Sequence, residues 1–182
     1  MDVLKKNLKL NLKFYEVILL IFLGIFISLA VNTIFLHVGL LQIKTVPIEE
    51  KSEFIKILAF IIKILASVVI GPIAEEILFR GFLFEIINKR LKTVISAIIT
   101  TLIFSVLHLN IVTCLFSLVV GIIFIYYYIK TKNLVVPIII HSICNLTSIF
   151  VLFLPRNTIF MILYILGSVI LIILCNKYIK QK

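Results

Sequence analysis

Polar residues that could do chemistry lie inside otherwise apolar stretches of the chain. The first group is Glu75, Glu76 and Arg80, in a run that reads PIAEEILFRG. Residues four apart share a face of a helix, so Glu76 and Arg80 can form an ion pair. Glu75 lies about 100° round the helix from Glu76. It is therefore the less neutralised carboxylate and the better candidate for a general base.

Two histidines and an amide follow on later apolar runs. His108 ends the sequence FSVLH, and His141 and Asn145 are again four residues apart, on one helix face. Each group alone could serve only to hold helices together. A charged side chain at the centre of a bilayer costs about 2.5–3.5 kcal/mol on insertion scales. Such residues usually face a cavity and have a function, so the charged motif points to a functional site.

Distances along the helices place these groups at a similar depth. At about 1.5 Å per residue, Glu75 lies roughly 21 Å from the basic residue Lys89, and His108 lies roughly 24 Å from Lys92. The two residues of the last pair lie about 13 and 20 Å from the basic loop that precedes them. Helices that start from one membrane surface would therefore bring two carboxylates, two imidazoles and an amide into one buried polar site.

The elements that position these residues must be membrane helices. The chain has 182 residues, of which 63% are hydrophobic and 14% charged, and its mean hydropathy is +1.28. A soluble domain averages about half apolar and a quarter charged residues. The composition therefore excludes a soluble globular enzyme, and it excludes a disordered chain. We predict a single membrane domain over residues 1–182, an all-α polytopic bundle of six to seven membrane helices around a buried polar site.

Seven apolar segments are separated by short charged or turn-forming stretches. Gly71-Pro72 is expected to end the helix of the second segment before that of the third begins. The segments cover residues 14–41, 54–70, 72–88, 93–109, 111–130, 134–153 and 158–176. The first segment follows four lysines and contains the small-residue sequence SLA. It is too long for the apolar region of a signal peptide, so we predict an uncleaved anchor.

Other polar and aromatic residues within the apolar runs are expected to be structural. The three cysteines, an odd number, are predicted to be buried free thiols. The run Tyr126-Tyr127-Tyr128 fits an aromatic belt at the membrane interface. His37 has no partner at helical spacing and is expected to be structural.

The net charge of +10 is carried by the loops. Basic residues cluster between apolar runs, as in cytoplasmic loops of membrane proteins. No arginine-rich stripe with interleaved aromatics is present, so we expect a lipid bilayer and no nucleic acid as partner. The clusters place the C-terminus in the cytoplasm. Seven full spans put the N-terminus outside, with 11 basic residues inside and five outside. If one of the early segments is re-entrant, the N-terminus moves inside, with 12 basic residues inside and four outside. The similar depth of the polar groups favours seven.

Taken together, the motifs resemble those of the CAAX prenyl protease type II and Abi-related intramembrane proteases, the CPBP family. The three family motifs occur in the family's order as Glu75-Glu76-x-x-x-Arg80, Phe104-x-x-x-His108 and His141-x-x-x-Asn145. The lead-in NLVVP before the last motif is also typical of the family. The likeness extends over about residues 70–148, which we take as the catalytic core.

The resemblance implies hydrolysis of a peptide bond in a membrane-embedded or membrane-associated substrate. In one mechanism, Glu75 and His108 activate a water molecule. His141 and Asn145 then stabilise the oxyanion. In a second mechanism, Glu75, His108 and His141 bind Zn²⁺, and a glutamate of the first motif acts as base. In both, the arginine of that motif keeps its paired glutamate ionised.

The choice between these mechanisms stays open at this point. The family is commonly labelled as metalloproteases. The chain lacks the sequence His-Glu-x-x-His, and asparagine is a poor zinc ligand, which favours the metal-free mechanism slightly.

Two other classes of protein are compatible with the same polar residues. A non-proteolytic immunity or peptide-binding membrane protein would use them to hold helices together or to capture a peptide. A small transporter would use Glu75 and His108 as a proton relay, but the chain shows no inverted repeat. The resemblance favours a bacterial member in the cytoplasmic membrane, acting in peptide processing or bacteriocin self-immunity rather than on prenylated proteins. The pattern specifies neither the substrate nor the oligomeric state.

Overall fold

The computed structural model describes residues 8, 11–40, 52–150, 155 and 157–180. Within these residues the chain is helical, with no β-strand. The helices are α1 (Phe14–His37), α2 (Glu53–Asn88), α3 (Thr93–Val106), α4 (Ile111–Thr131), α5 (Val135–Phe150) and α6 (Thr158–Tyr178). Helices α1, α2, α4 and α6 are long and apolar enough to cross a membrane, whereas α3 and α5 are shorter apolar helices. The prediction of an all-α, polytopic membrane bundle is confirmed. Residues 41 and 151–153 of the predicted segments lie outside the described part.

The second and third predicted segments form one continuous helix, so the predicted break at Gly71-Pro72 is wrong. Helix α2 contains two π-helical stretches, Leu65–Ile70 and Ile77–Phe84, between α-helical ones. After the first of them, Gly71 N–H donates to the carbonyl of Ala66, five residues back. Proline normally interrupts a helix because it lacks an N–H and crowds the carbonyl four residues back. The wider π turn relieves this crowding, and the helix continues through Pro72.

The helices alternate in direction, and α1 begins at the same end of the bundle at which α6 ends. The rings of Tyr15 in α1 and Tyr178 in α6 lie edge to face, with centroids 6.3 Å apart. At the same end, Lys130 in α4 donates to the carbonyl of Asn176. The favoured seven-span arrangement is therefore wrong, because α2 is one helix where two spans were expected. The structure agrees with the alternative in which α1 begins on the side where α6 ends, although one long helix replaces the re-entrant segment expected there.

Helix α1 packs against α5 and α6, and its contact with α5 uses small and polar residues. A Cβ added to Gly24 would lie 2.9 Å from the side chain of Ile143. Ser28 Oγ donates to the carbonyl of Cys144 at 3.0 Å, and Asn32 Nδ2 donates to Ser148 Oγ at 3.2 Å. Small residues let membrane helices approach closely, and hydrogen bonds between them add stability. This contact fixes α5, the helix that carries the third motif.

Three smaller predictions can be compared with the structure. The three cysteines are free, as predicted, but only Cys144 and Cys175 are buried, whereas Cys114 is partly exposed. The aromatic belt is wrong for Tyr127 and Tyr128, which are fully buried, whereas Tyr126 is exposed. Successive residues of a helix point about 100° apart, so three in a row cannot all face the membrane interface. His37 joins two helices: its Nδ1 lies 3.0 Å from the Thr33 carbonyl and its Nε2 lies 3.4 Å from Thr158 Oγ1 in α6.

Candidate active site

A fully buried ion pair lies at the centre of the bundle. Arg80 Nη1 donates to Glu76 Oε1 at 2.9 Å, and neither side chain is exposed. This is the i,i+4 pair that the spacing predicts. Arg80 Nη2 also donates to the carbonyl of Gly121 in α4, at 3.3 Å. Buried charges are costly unless they are paired and hydrogen-bonded, so this cluster fixes α2 against α4.

Two phenylalanines contact the guanidinium group. Arg80 lies over the ring of Phe104 at 4.4 Å from its centroid and over Phe124 at 5.5 Å. Cation–π contacts in desolvated surroundings contribute about 2 kcal/mol. Phe104 was marked in the sequence only as the first residue of a motif. Phe124 was missed, and as one of 15 phenylalanines it carried no signal that could have singled it out.

His141 bridges the two glutamates of the first motif. Its Nδ1 lies 2.9 Å from Glu76 Oε1, and its Nε2 lies 3.6 Å from Glu75 Oε2. An ionised carboxylate can only accept hydrogen bonds, so Nδ1 carries a proton and donates a hydrogen bond to Glu76. The ring is buried and stacks on Phe124, with centroids 4.7 Å apart. These contacts fix the orientation of the imidazole and direct Nε2 toward Glu75.

Glu75 and Glu76 are neighbours in the chain but lie in different surroundings. The side chain of Glu75 is 38% exposed, whereas that of Glu76 is completely buried. Among the described residues, the only basic side chain within 4 Å of Glu75 is that of His141. Glu76 is held by Arg80 and His141 and can only orient them. Glu75 is the carboxylate that can still accept a proton from water or substrate.

His108 lies just beyond the end of α3. Its Nδ1 is 2.9 Å from the carbonyl of Phe104. A carbonyl only accepts hydrogen bonds, so Nδ1 is the protonated nitrogen and Nε2 carries the lone pair of the neutral ring. Phe104 contacts both histidine rings, with centroid distances of 5.0 Å to His108 and 5.9 Å to His141. The second motif therefore connects a potential base to the buried cluster.

A cavity of about 350 Å³ has three of the predicted site residues in its wall: His108, His141 and Asn145. Much of the remaining wall is apolar and includes Phe116 and Val120. Asn145 Nδ2 donates to the carbonyl of Ser67 in α2 at 2.8 Å. An amide nitrogen has two protons, so one N–H of Asn145 is left for another acceptor. The structure thus brings the second and third motifs to one cavity. The first motif is not part of its wall, and Glu75 contacts the wall residue His141.

The residues predicted as zinc ligands, Glu75, His108 and His141, do not form a ligand set. A zinc site takes at least three protein ligands at about 2.0–2.3 Å. Within the described part of the chain, no three His, Cys, Asp or Glu residues are grouped so that they could hold a metal ion. Nδ1 of His141 is held by Glu76 and Nδ1 of His108 by a carbonyl, which leaves the Nε2 atom of each ring as a possible ligand. As arranged in the described part of the chain, these atoms and Glu75 do not form a zinc site.

Fold and site together define a polytopic helical membrane protein with a buried carboxylate–histidine centre. The family model "Type II CAAX prenyl endopeptidase Rce1-like" matches residues 57–147, which is half of the chain. The chain therefore belongs to the Rce1-like family of type II CAAX prenyl endopeptidases, and the resemblance seen in its motifs is confirmed. The matched residues extend from α2 to α5 and include all three motifs.

Two curated bacterial proteins are similar to this chain. "Putative membrane peptidase YdiL" of Bacillus subtilis is 32% identical over 82 residues, which cover 45% of this chain and 34% of that protein. "Membrane-embedded CAAX protease MroQ" of Staphylococcus aureus is 37% identical over 83 residues, which cover 42% of this chain and 34% of that protein. The matches thus span about a third of the length of these relatives. No solved structure matches the chain.

Proposed function

We propose that this chain is an endopeptidase of the bacterial cytoplasmic membrane that cleaves a peptide bond in a membrane-embedded or membrane-associated protein or peptide. Membership of the family supports the reaction class. The observation that carries the proposal is the position of Glu75, half-exposed and 3.6 Å from His141, whose other nitrogen is held by the buried Glu76–Arg80 pair. A reactive carboxylate thus lies next to an immobile imidazole.

The first step is attack of water on the scissile carbonyl. Glu75 takes a proton from the water as general base, and Nε2 of His108 accepts the second hydrogen bond that orients it. The water oxygen forms a bond to the carbonyl carbon, and the carbonyl π electrons move to its oxygen. Glu75 then passes its proton to the amide nitrogen as the C–N bond breaks. The result is a free carboxyl end and a free amine, with Glu75 ionised again.

The oxyanion of this step needs hydrogen-bond donors that are already in place. Nδ1 of His141 is committed to Glu76, so Nε2 is its only nitrogen for the substrate, and it donates to the oxyanion when the ring carries a proton on both nitrogens. Asn145 offers the N–H that Ser67 does not use. Both residues lie in the wall of the cavity, which supports their assignment as the oxyanion donors.

We propose a metal-independent mechanism, because the donor atoms are arranged around one another rather than around a common point.

The orientation of the chain in the membrane follows from the position of its basic residues. The basic residues of the described loops lie at the end of the bundle where α1 begins and α6 ends, and such clusters face the cytoplasm in membrane proteins. They are Lys13, Lys89, Arg90, Lys92, Lys132 and Lys180, and Lys130 and Lys177 lie beside them in the last turns of α4 and α6.

The test is a cleavage assay on the purified chain in liposomes, with a library of quenched fluorescent peptides. Wild type is compared with Glu75→Gln, His108→Ala and, as a matched control on α2, Glu85→Gln. Glu85 accepts a hydrogen bond from Tyr128 at 2.7 Å, and a glutamine can accept the same bond. Each sample is measured with and without a zinc chelator, and folding is checked by thermal unfolding.

We expect cleavage by wild type and Glu85→Gln, loss of cleavage in the other two variants, and no effect of the chelator. Cleavage that stops in chelator and returns with Zn²⁺ would contradict the metal-independent mechanism. Folded wild type that cleaves no peptide, at the same low level as Glu75→Gln, would favour the immunity or peptide-binding alternative.

A further inference from the structure

Asn145 makes a contact that the reaction itself does not require. Its Nδ2 donates to the backbone carbonyl of Ser67 at 2.8 Å, joining α5 to α2 across 78 residues of sequence. Ser67 lies in the first π-helical stretch of α2, Leu65–Ile70. Ser67 and Asn145 are both partly buried and line the same cavity.

The register of the π turn explains why this carbonyl is free to accept. In a π turn each carbonyl pairs with the N–H five residues later, and the bond from Gly71 N–H to the Ala66 carbonyl follows this rule. The next bond in the same register would run from residue 72 to Ser67. Residue 72 is proline and has no N–H to donate. The side chain of Asn145 supplies the donor that Pro72 lacks.

This bond lies at the boundary between a fixed and a loosely packed part of α2. The stretch Glu53–Ile64, before the π turn, has no buried residue, so packing contributes little to its position. Beyond the turn, Glu76 and Arg80 are completely buried. A change from the π to the α register would remove one residue from the turn and rotate one part of α2 against the other by about 100°. That rotation would move the cavity wall at Ser67 relative to Glu75.

We propose that Asn145 is a positioning residue, which holds the π turn of α2 by replacing the N–H missing at Pro72 and so sets the cavity wall relative to Glu75. The effect on cleavage rests on the proposed peptidase function, whereas the effect on folding does not. The role is separate from donation to the oxyanion, since it uses the other N–H of the same amide.

The experiment is a double-mutant cycle between Asn145 and Pro72. Asn145→Ala removes the donor, and Pro72→Ala restores an N–H that pairs within the helix. We measure unfolding of the full chain in detergent, and KM and kcat for a cleaved peptide, in wild type, both single variants and the double variant. Asn32→Ala, alone and with Pro72→Ala, is the matched control, because Asn32 is a buried amide of the same cavity wall whose bonds run to Ser28 in its own helix and to Ser148 in α5, and not to α2.

We expect Asn145→Ala to lower the equilibrium constant for folding and to raise KM by roughly tenfold each, the usual size for a lost buried hydrogen bond. In the Pro72→Ala background both losses shrink to about threefold or less, which is a strong coupling between adjacent sites. The fall in kcat from the missing oxyanion donor persists in both backgrounds. Asn32→Ala shows the same loss with proline or alanine at position 72.

Equal losses of folding stability and KM from Asn145→Ala in the two backgrounds would overturn the proposal. If Pro72→Ala does not fold, Asn145→Leu tests it instead, because leucine keeps the volume of the side chain and removes the donor. A loss of stability in Asn145→Leu equal to that in Asn145→Ala supports the proposal, and wild-type stability contradicts it. The unfolding measurement stands even if no peptide is cleaved, so failure of the peptidase function and failure of this inference give different results.

Discussion

The two halves of α2 belong to one helix but are held in different ways. Before the π turn, the stretch Glu53–Ile64 contributes no buried residue to the bundle. After it, Phe79 and Phe84 are buried together with the charged pair Glu76 and Arg80. Segments with few buried contacts open at low free energy, whereas core segments open only with global unfolding. The reacting groups are therefore anchored by the buried half of α2, while the half of α2 without buried residues forms part of the cavity wall.

The same difference separates the two ion pairs of this helix. Lys56 and Glu53 lie 2.8 Å apart, and Arg80 and Glu76 lie 2.9 Å apart. The side chains of the first pair are 39% and 82% exposed, whereas those of the second are completely buried. Equal geometry therefore does not mean equal energy, because water screens the first pair and removing one partner of the second leaves an unpaired buried charge.

The largest effect is expected from Arg80→Met. This change leaves the carboxylate of Glu76 buried without its cation, and breaking a buried pair in this way costs about 3–5 kcal/mol in the free energy of unfolding. Denaturant titration of the purified protein in mixed detergent micelles measures the change. A free energy of unfolding within error of wild type would show that the buried half of α2 is not anchored by this pair.

A large effect on activity alone is expected from His108→Ala. General bases and the groups that assist them contribute about 10²–10⁴-fold to the rate. His108 lies beyond the end of α3 and is only partly buried, so its removal should leave the unfolding transition unchanged. Comparison of kcat with the unfolding midpoint in one protein preparation measures both. A parallel loss of stability would instead place His108 in the structural part of the molecule.

An intermediate effect is expected from Gly121→Ala. The added methyl group would lie 3.1 Å from Thr101 Cγ2 and 3.3 Å from a ring carbon of Phe104. Overpacking of this kind destabilises by about 1–3 kcal/mol. The substitution also presses on the ring that contacts both histidines, so kcat should fall with stability. The reference variant is Ala59→Gly, on the half of α2 that has no buried residue, where we expect the free energy of unfolding to fall by about 1 kcal/mol, the difference in helix propensity. Gly39→Ala would not serve as a reference, because Gly39 has a positive φ that alanine rarely adopts.

The smallest effect is expected from Lys56→Met, the counterpart of Arg80→Met in the other half of α2. Exposed ion pairs contribute about 0–1 kcal/mol. The free energy of unfolding should therefore change by no more than this, and the rate of cleavage should stay at the wild-type value. Denaturant titration at low and high salt measures the difference. A loss as large as that in Arg80→Met would remove the distinction between the two halves.

Features that depend on residue spacing within one helix could be predicted from the sequence. The pairing of Glu76 with Arg80, the shared face of His141 and Asn145, and the helical membrane fold all follow from helical periodicity and composition. Contacts between helices were harder to predict from the sequence. Phe124, which stacks on His141, lies on another helix, and nothing in its local sequence distinguishes it from other apolar residues.

The error at Gly71-Pro72 has a different cause. A proline inside an apolar run normally marks the end of a helix, and the rule applies to the α register. Here the helix changes to the π register, and a side chain from α5 supplies the missing donor. This donor is 78 residues away in the sequence, so no local pattern could reveal it. The favoured seven-span topology followed from the same error, because it counted α2 twice.

The two adjacent glutamates have different roles: Glu75 reacts, and Glu76 holds the site together. The most direct test compares Glu75→Gln with Glu76→Gln in one cleavage assay and one unfolding titration. We predict that Glu75→Gln folds like wild type and loses about 10²–10⁴-fold in kcat. Glu76→Gln should lose about 3–5 kcal/mol of stability, because Arg80 is left without its counter-charge. A folded, active Glu75→Gln protein would contradict the account.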